Sequence, residues 1–172
     1  FPFVNKKKIS KGLENEFYDC WKNYFYSNNF NFNNFVHKDF NINNLLYLPS
    51  KKNQFKCGVV DFQSAFRGES CWDLFSLLED SRILFDNSFN DFFIKYYYQN
   101  TNQNDSLDQF KEKYYTLNLA RQTRLMGRWV KLYEKFNDKT YLKFMPVTKK
   151  RLLQGLKKIK NKDLITIYNK LI

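Results

Sequence analysis

"FVHKDFNINNLLYLP", residues 35–49, sets a histidine, an aspartate and an asparagine between two apolar runs. After a short polar spacer, "KCGVVDF" at 56–62 forms a second apolar run that closes on an aspartate. Short Leu-, Tyr- and Val-rich runs separated by a polar turn predict a β-hairpin, with Pro49 ending its first strand. Asn44 immediately precedes that strand and Asp61 closes the second. Antiparallel pairing therefore brings Asn44 and Asp61 to one end of the hairpin, with Asp39 in the loop just before it. Three oxygen-bearing side chains are expected to converge there.

An oxygen-rich corner of this kind suits Mg²⁺, a hard cation that takes carboxylate, amide and water oxygens and shares its shell with phosphates. In phosphoryl transfer a protein mainly positions groups and balances charge. One carboxylate holds the metal, an amide oxygen binds it without adding full charge, and a second carboxylate takes the proton of the acceptor hydroxyl. Asp61, Asn44 and Asp39 fit those three tasks in that order.

The rest of the chain frames this corner with helices. Leu13, Phe17, Cys20, Trp21, Tyr24 and Phe25 recur at helical spacing over 13–27, and the Asn-rich stretch 28–34 then reads as a loop. From Cys71 onward helices are expected over 71–84, 88–99 and 106–136. Ser106 is placed as the N-cap of the third, and Gly127 as a point of close packing. Pro146 opens one or two basic amphipathic helices. The fold class expected is α+β and mainly helical, in a single domain over 1–172.

Composition narrows the alternatives. With 172 residues, 43% of them hydrophobic and 20% aromatic, the chain can bury a real core. No apolar run approaches the ~18 residues needed to cross a bilayer, so no membrane role is expected. In "FPFVNKKKIS" the lysines follow the short apolar run instead of preceding it, which reads against a signal peptide. Three cysteines without a CxxC pair read as free thiols in a reducing cytoplasm, and a single histidine argues against zinc. The formal charge of +12 invites a nucleic-acid reading. Yet the lysines are dispersed, dense only at 6–8 and 149–160, and the abundance of Lys, Asn, Phe, Tyr and Ile follows a drift toward A- and T-rich codons. Nucleic acid is therefore not the expected partner.

The pattern H-x-D-x(4)-N, followed by a strand ending in D-F, resembles the catalytic loop and metal motif of the protein-kinase-like superfamily. His37, Asp39, Asn44, Asp61 and Phe62 match it. Asp61 is joined to a helix within about ten residues and no A-P-E motif follows. With Gly68, Asp73 and Leu74 in place, that link looks like the aminoglycoside phosphotransferase-like small-molecule kinases. "HKDFNINNLLYLP", "GVVDFQSA", "DLFSLLEDSR" and "RQTRLMGRW" are similar to the bacterial subgroup of anomeric kinases of N-acetylmuramate and N-acetylglucosamine, over nearly the whole chain.

The resemblance implies an ATP- and Mg²⁺-dependent transfer to a small-molecule hydroxyl, with nucleotide and acceptor as partners and the anomeric hydroxyl of an amino sugar as the expected target. It implies structural support of the catalytic loop by His37 and Asp73, and offers Lys38, Asn41 and Gln63 as substrate or phosphate contacts. Gln63 is equally open to a backbone role. Lys38 stands where the subgroup has Arg, Asn41 where it has His, Asn43 where it has an acidic residue and Ser64 where it has Asp. Lys38 keeps the charge without the guanidinium fork. Glu79, Asp80 and Arg82 read as a solvated helix face with local ion pairs, and Phe92, Phe93 and Tyr96–Tyr98 as helix packing.

The family's N-terminal lobe, with its phosphate-covering loop and lysine, has no counterpart before residue 30. The chain is thus expected to be a C-terminal lobe that needs its own N-terminal lobe and turns over little alone. The rival readings are a non-catalytic pseudokinase-like or basic nucleic-acid- or protein-binding module, and the same family acting on an aminoglycoside or a choline-like alcohol.

Overall fold

The computed structural model describes Phe3, residues 8–102 and residues 104–172. The stretch read against a signal peptide and the lysines at 6 and 7 lie largely outside the described residues. In chain order the elements are α1 (Lys11–Ser27), β1 (Asn34–Val36), β2 (Leu45–Tyr47), β3 (Cys57–Val59), β4 (Phe66–Gly68), α2 (Cys71–Leu78), α3 (Asn87–Asn100), α4 (Leu107–Phe136), α5 (Met145–Leu156) and α6 (Lys162–Leu171). Short 3₁₀ turns at Ile42–Asn44, Asn53–Lys56 and Phe62–Ser64 punctuate the strands. The chain is mainly helical α+β, as expected.

Local chemistry starts most of these helices. The Ser10 hydroxyl accepts from Leu13 N (3.2 Å), Asp86 from Phe89 N (2.7 Å) and Asn161 from Leu164 N (2.9 Å), each satisfying an amide that has no intrahelical partner. Ser106 and Gln109 form a reciprocal capping box at the start of α4: Gln109 N donates to Ser106 Oγ (3.3 Å) and Ser106 N to Gln109 Oε1 (2.8 Å). Pro146 sits in the first turn of α5, where its missing N–H costs nothing.

The chain divides into two compact units, residues 31–118 and residues 1–30 with 119–172. In the first, Phe75, Ile94 and Tyr114 are fully buried, with Val36, Cys71, Leu78 and Phe110 beside them in the core. Phe75 meets Tyr114 edge-on at 5.8 Å, and Tyr97 stacks on Phe110 at 6.0 Å. The Tyr97 hydroxyl donates to Ser70 O (2.8 Å) at the entry to α2. In the second unit, α1 packs on α6: Phe17 and Trp21 meet the buried Tyr168 edge-on at 5.6 and 6.2 Å. The Tyr168 hydroxyl shares a 2.6 Å hydrogen bond with Thr123. Aromatic pairs of this geometry add ~0.5–1.5 kcal/mol each beyond their area burial.

Two antiparallel ribbons carry the site. The expected hairpin pairs β2 with β3, Leu45 opposite Val59 and Tyr47 opposite Cys57. A second ribbon pairs β1 with β4, Asn34 opposite Gly68 and Val36 opposite Phe66. It occupies part of what reads as an Asn-rich loop. Gly68 is required there by space: a Cβ would lie 2.7 Å from Phe66 Cε2 and 3.1 Å from Val36 Cγ2.

Three details differ from expectation. The helix from Cys71 stops at Leu78 instead of running to Leu84, because Asp80 turns its carboxylate onto Arg82 N (2.9 Å) and the chain bends there. Asp80 is buried and holds the Arg82 guanidinium at 2.7 Å, so this is a partly buried ion pair and not a solvated face. Gly127 has open space where a Cβ would sit, so it marks no close packing.

Candidate active site

The loop from His37 to Asn44 is held by hydrogen bonds that sequence spacing only hints at. Asp73, in the first turn of α2, accepts from two successive backbone amides, His37 N at 2.7 Å and Lys38 N at 3.0 Å. Such a fork suits a carboxylate, whose two oxygens each take one donor. Burial pushes the Asp73 carboxyl up from its ordinary value, and the two amide hydrogen bonds oppose that rise without cancelling it. Lys38 takes the left-handed backbone region, φ 76°, which a non-glycine residue reaches only at a cost. Its side chain is exposed, with Nζ 5.9 Å from the Phe66 ring centroid.

His37 is buried and lies beneath the loop. Its Nε2 is 2.8 Å from Val60 O, an acceptor only, so Nε2 is the donor in this bond. Nδ1 is buried without a hydrogen-bond partner. Val60 in turn donates its N–H to Asn44 O (3.0 Å). These two bonds tie the His37 loop, the end of β3 and the start of β2 together, immediately beside Asp61.

Asp61 is exposed and left-handed, φ 63° and ψ 41°, where the chain leaves β3 for a 3₁₀ turn. Gln63, in that turn, is exposed as well. Strain at a non-glycine residue is kept only where the surroundings over-determine it. The pairing of β2 with β3 and the Val60–Asn44 bond supply that constraint.

Asp39 is exposed, and its backbone carbonyl accepts from two side-chain amides, Asn41 Nδ2 and Asn44 Nδ2, each at 2.9 Å. Asn44 is buried. Its nitrogen is thereby committed to the loop, and its oxygen is the atom left to present. Asn41 is buried too. Its Nδ2 also reaches Asp39 Oδ1 at 2.9 Å, and its Oδ1 accepts from Asn43 N at 3.0 Å.

The structure thus joins His37, Asp39, Asn41, Asn44 and Asp73 in one network through the Val60 backbone, with Asp61 next to Val60 along the chain, while the side chains of Lys38 and Gln63 are exposed. The Val60 carbonyl is the part that the sequence did not assign, and Asn41, offered there as a substrate or phosphate contact, is bonded to Asp39 and Asn43. The spacing gave no signal for the bond that Asn41 makes to Asp39, since the resemblance offered that position only as a contact. Asn44 and Asp61 offer the hard oxygen donors that a divalent cation shared with phosphates takes. Among the described residues, no group of three or more His, Cys, Asp and Glu side chains gathers as a metal site. No helix among them is long and apolar enough to cross a membrane.

The phosphotransferase enzyme family matches residues 32–108, a span that falls inside the unit 31–118 and contains every residue of this network. That match spans less than half of the chain and shows that the segment is similar to the phosphotransferase enzyme family. Over 48 residues the chain is 40% identical to the N-acetylmuramate/N-acetylglucosamine kinase of Caulobacter vibrioides. That stretch is 28% of this chain and 13% of the relative's length. The phosphotransferase segment is thus similar to an aminoglycoside phosphotransferase-like kinase, the resemblance its motifs carry.

Proposed function

We propose that the protein is an ATP- and Mg²⁺-dependent phosphotransferase acting on a small-molecule hydroxyl, the anomeric hydroxyl of an amino sugar, in the cytoplasm. Residues 1–172 act as the C-terminal catalytic lobe of a protein-kinase-like fold, and the nucleotide is gripped by a separate N-terminal lobe. The observation that carries this reading is the double amide bond on the Asp39 carbonyl together with the Val60–Asn44 bond. These fix an open carboxylate, an amide oxygen and a strained second carboxylate on adjoining turns of one phosphotransferase-family segment.

Asp39 orients the acceptor hydroxyl and takes its proton. An anomeric hydroxyl is more acidic than an ordinary alcohol, so a weak carboxylate base suffices. Asn44 Oδ1 and Asp61 hold the cation, which when bound neutralises charge on the β- and γ-phosphates. His37 and Asp73 act through the backbone: one holds the Val60 carbonyl, the other the amides of His37 and Lys38. Lys38 and Gln63, both exposed, are the side chains that would meet phosphate or sugar in this reading. The kinship of the Caulobacter kinase supports the choice of amino sugar.

The test is ADP release from Mg-ATP by the full-length protein against a panel of sugars including N-acetylglucosamine and N-acetylmuramate, with Asp39→Asn as control. Release that depends on one sugar and vanishes in the variant is the expected result. Nucleotide binding without release for any sugar would remove the amino-sugar acceptor, and absence of nucleotide binding would remove the kinase.

A further inference from the structure

Asn41 stands where the resembled kinases carry a histidine, a position first read as a substrate or phosphate contact. Both polar atoms of the amide already have partners within the loop. The residue is only 2% exposed. Both Nδ2 protons face acceptors, Asp39 O and Asp39 Oδ1, each at 2.9 Å, and Oδ1 faces the Asn43 amide at 3.0 Å. The orientation of the amide is fixed by chemistry, since the opposite flip would set oxygen against two oxygens and nitrogen against an N–H.

We propose that Asn41 is a positioning residue: its side-chain amide clamps the Asp39 carboxylate in one rotamer, committing Oδ1 to the protein and leaving Oδ2 to face the acceptor hydroxyl. This rests on Asp39 being the group that meets the acceptor. An exposed aspartate on a loop otherwise samples several rotamers, each with its oxygens in different places. The clamp removes that freedom before substrate arrives, and a base must lie within hydrogen-bond reach of the proton it takes. The same amide bonds the Asp39 carbonyl, so backbone and side chain of one residue are held from a single point. Asn44 Nδ2 takes the other lone pair of that carbonyl. Asn43 N, bonded to Asn41 Oδ1, starts the 3₁₀ turn that delivers Asn44. One side chain thereby couples the proton acceptor to the amide offered as a cation ligand.

Three variants and one spectroscopic measurement test this. In the full-length protein, Asn41→Ala is expected to lower kcat by about 10- to 100-fold, the effect of a reacting group displaced by about an ångström, with KM for nucleotide within about twofold. Asn41→His restores a ring N–H of similar reach and recovers most of kcat. Asn41→Ala with unchanged kcat, while Asp39→Asn abolishes turnover, overturns the clamp and leaves the kinase reading intact. Independently of turnover, Asp39→Ala is expected to shift the Asn41 side-chain amide resonances and speed their exchange with solvent. If those resonances ignore the Asp39 substitution while the fold persists, the clamp does not exist. Loss of any Asp39-dependent turnover from the parent protein would sink the kinase reading alone, since the amide measurement still decides the clamp.

Discussion

Replacing Asp73 separates its two hydrogen bonds. In Asp73→Ala both His37 N and Lys38 N lose a charged acceptor, and the two amides differ in what happens next. Lys38 is exposed, so water replaces its partner and the loss is that of one charge-assisted bond, about 1 kcal/mol net. His37 is buried, so its amide is left without a partner and costs about 2 kcal/mol. The sum is about 3 kcal/mol, partly offset because the half-buried carboxylate no longer has to be desolvated. Asp73→Asn keeps one oxygen, which serves the buried His37 amide better, and turns its NH₂ toward Lys38 N; about 1–2 kcal/mol is expected. Urea unfolding of both variants gives the totals, and hydrogen exchange at the amides of residues 37 and 38 localises them. Equal cost for the two substitutions, or unchanged exchange at His37 in Asp73→Ala, would refute this division between a buried and a hydrated amide.

Acidification adds a second view of the same carboxyl. Because its value is raised in the fold, Asp73 contributes stability that is complete below the unfolded value and lost as pH rises through the folded one. Lowering the pH through that window therefore does not unfold the chain through Asp73, but it weakens the fork, and protection of the residue 37 and 38 amides should fall at a pH above the ordinary value of an aspartate. Gly68→Ala drives a Cβ into Phe66 and Val36 and should cost about 1–2 kcal/mol, whereas Gly127→Ala, with open space and helix on both sides, should gain about 0.5–1 kcal/mol by thermal denaturation. Arg82→Ala strips the buried Asp80 of its charged partner and should cost roughly 2–3 kcal/mol in the same assay. A thiol reagent at neutral pH should label exposed Cys57 first and Cys71 only on unfolding, since burial both shields that thiol and pushes its ionisation up.

The helices and the hairpin were readable because their signals are local: Leu13 to Phe25 repeat at helical spacing, and Leu45–Tyr47 and Cys57–Val59 are bounded by a proline and a polar turn. The pairing of Leu45 with Val59, which leaves Asn44 and Asp61 flanking the same end of the hairpin, followed from antiparallel strand logic alone. The ribbon of β1 and β4 was not readable, because Asn34–Val36 is too short to show alternation and its partner lies some thirty residues away. The early end of α2 was hidden since Leu77, Leu78 and Ile83 continue a helical apolar spacing that the Asp80–Arg82 contact overrides. Asn41 was picked out as a candidate contact, but its bonds to Asp39 and Asn43 depend on burial and side-chain orientation that spacing does not carry.

The left-handed backbone at Lys38 and Asp61 has a consequence for directed evolution. Glycine at either position would relieve on the order of 1 kcal/mol of conformational strain. A library of variants sorted for thermal endurance alone should therefore accumulate glycine at both. If Asp61 holds the cation as proposed, sorting the same library for turnover should purge it there first, because the side chain and not the backbone is what selection would be keeping.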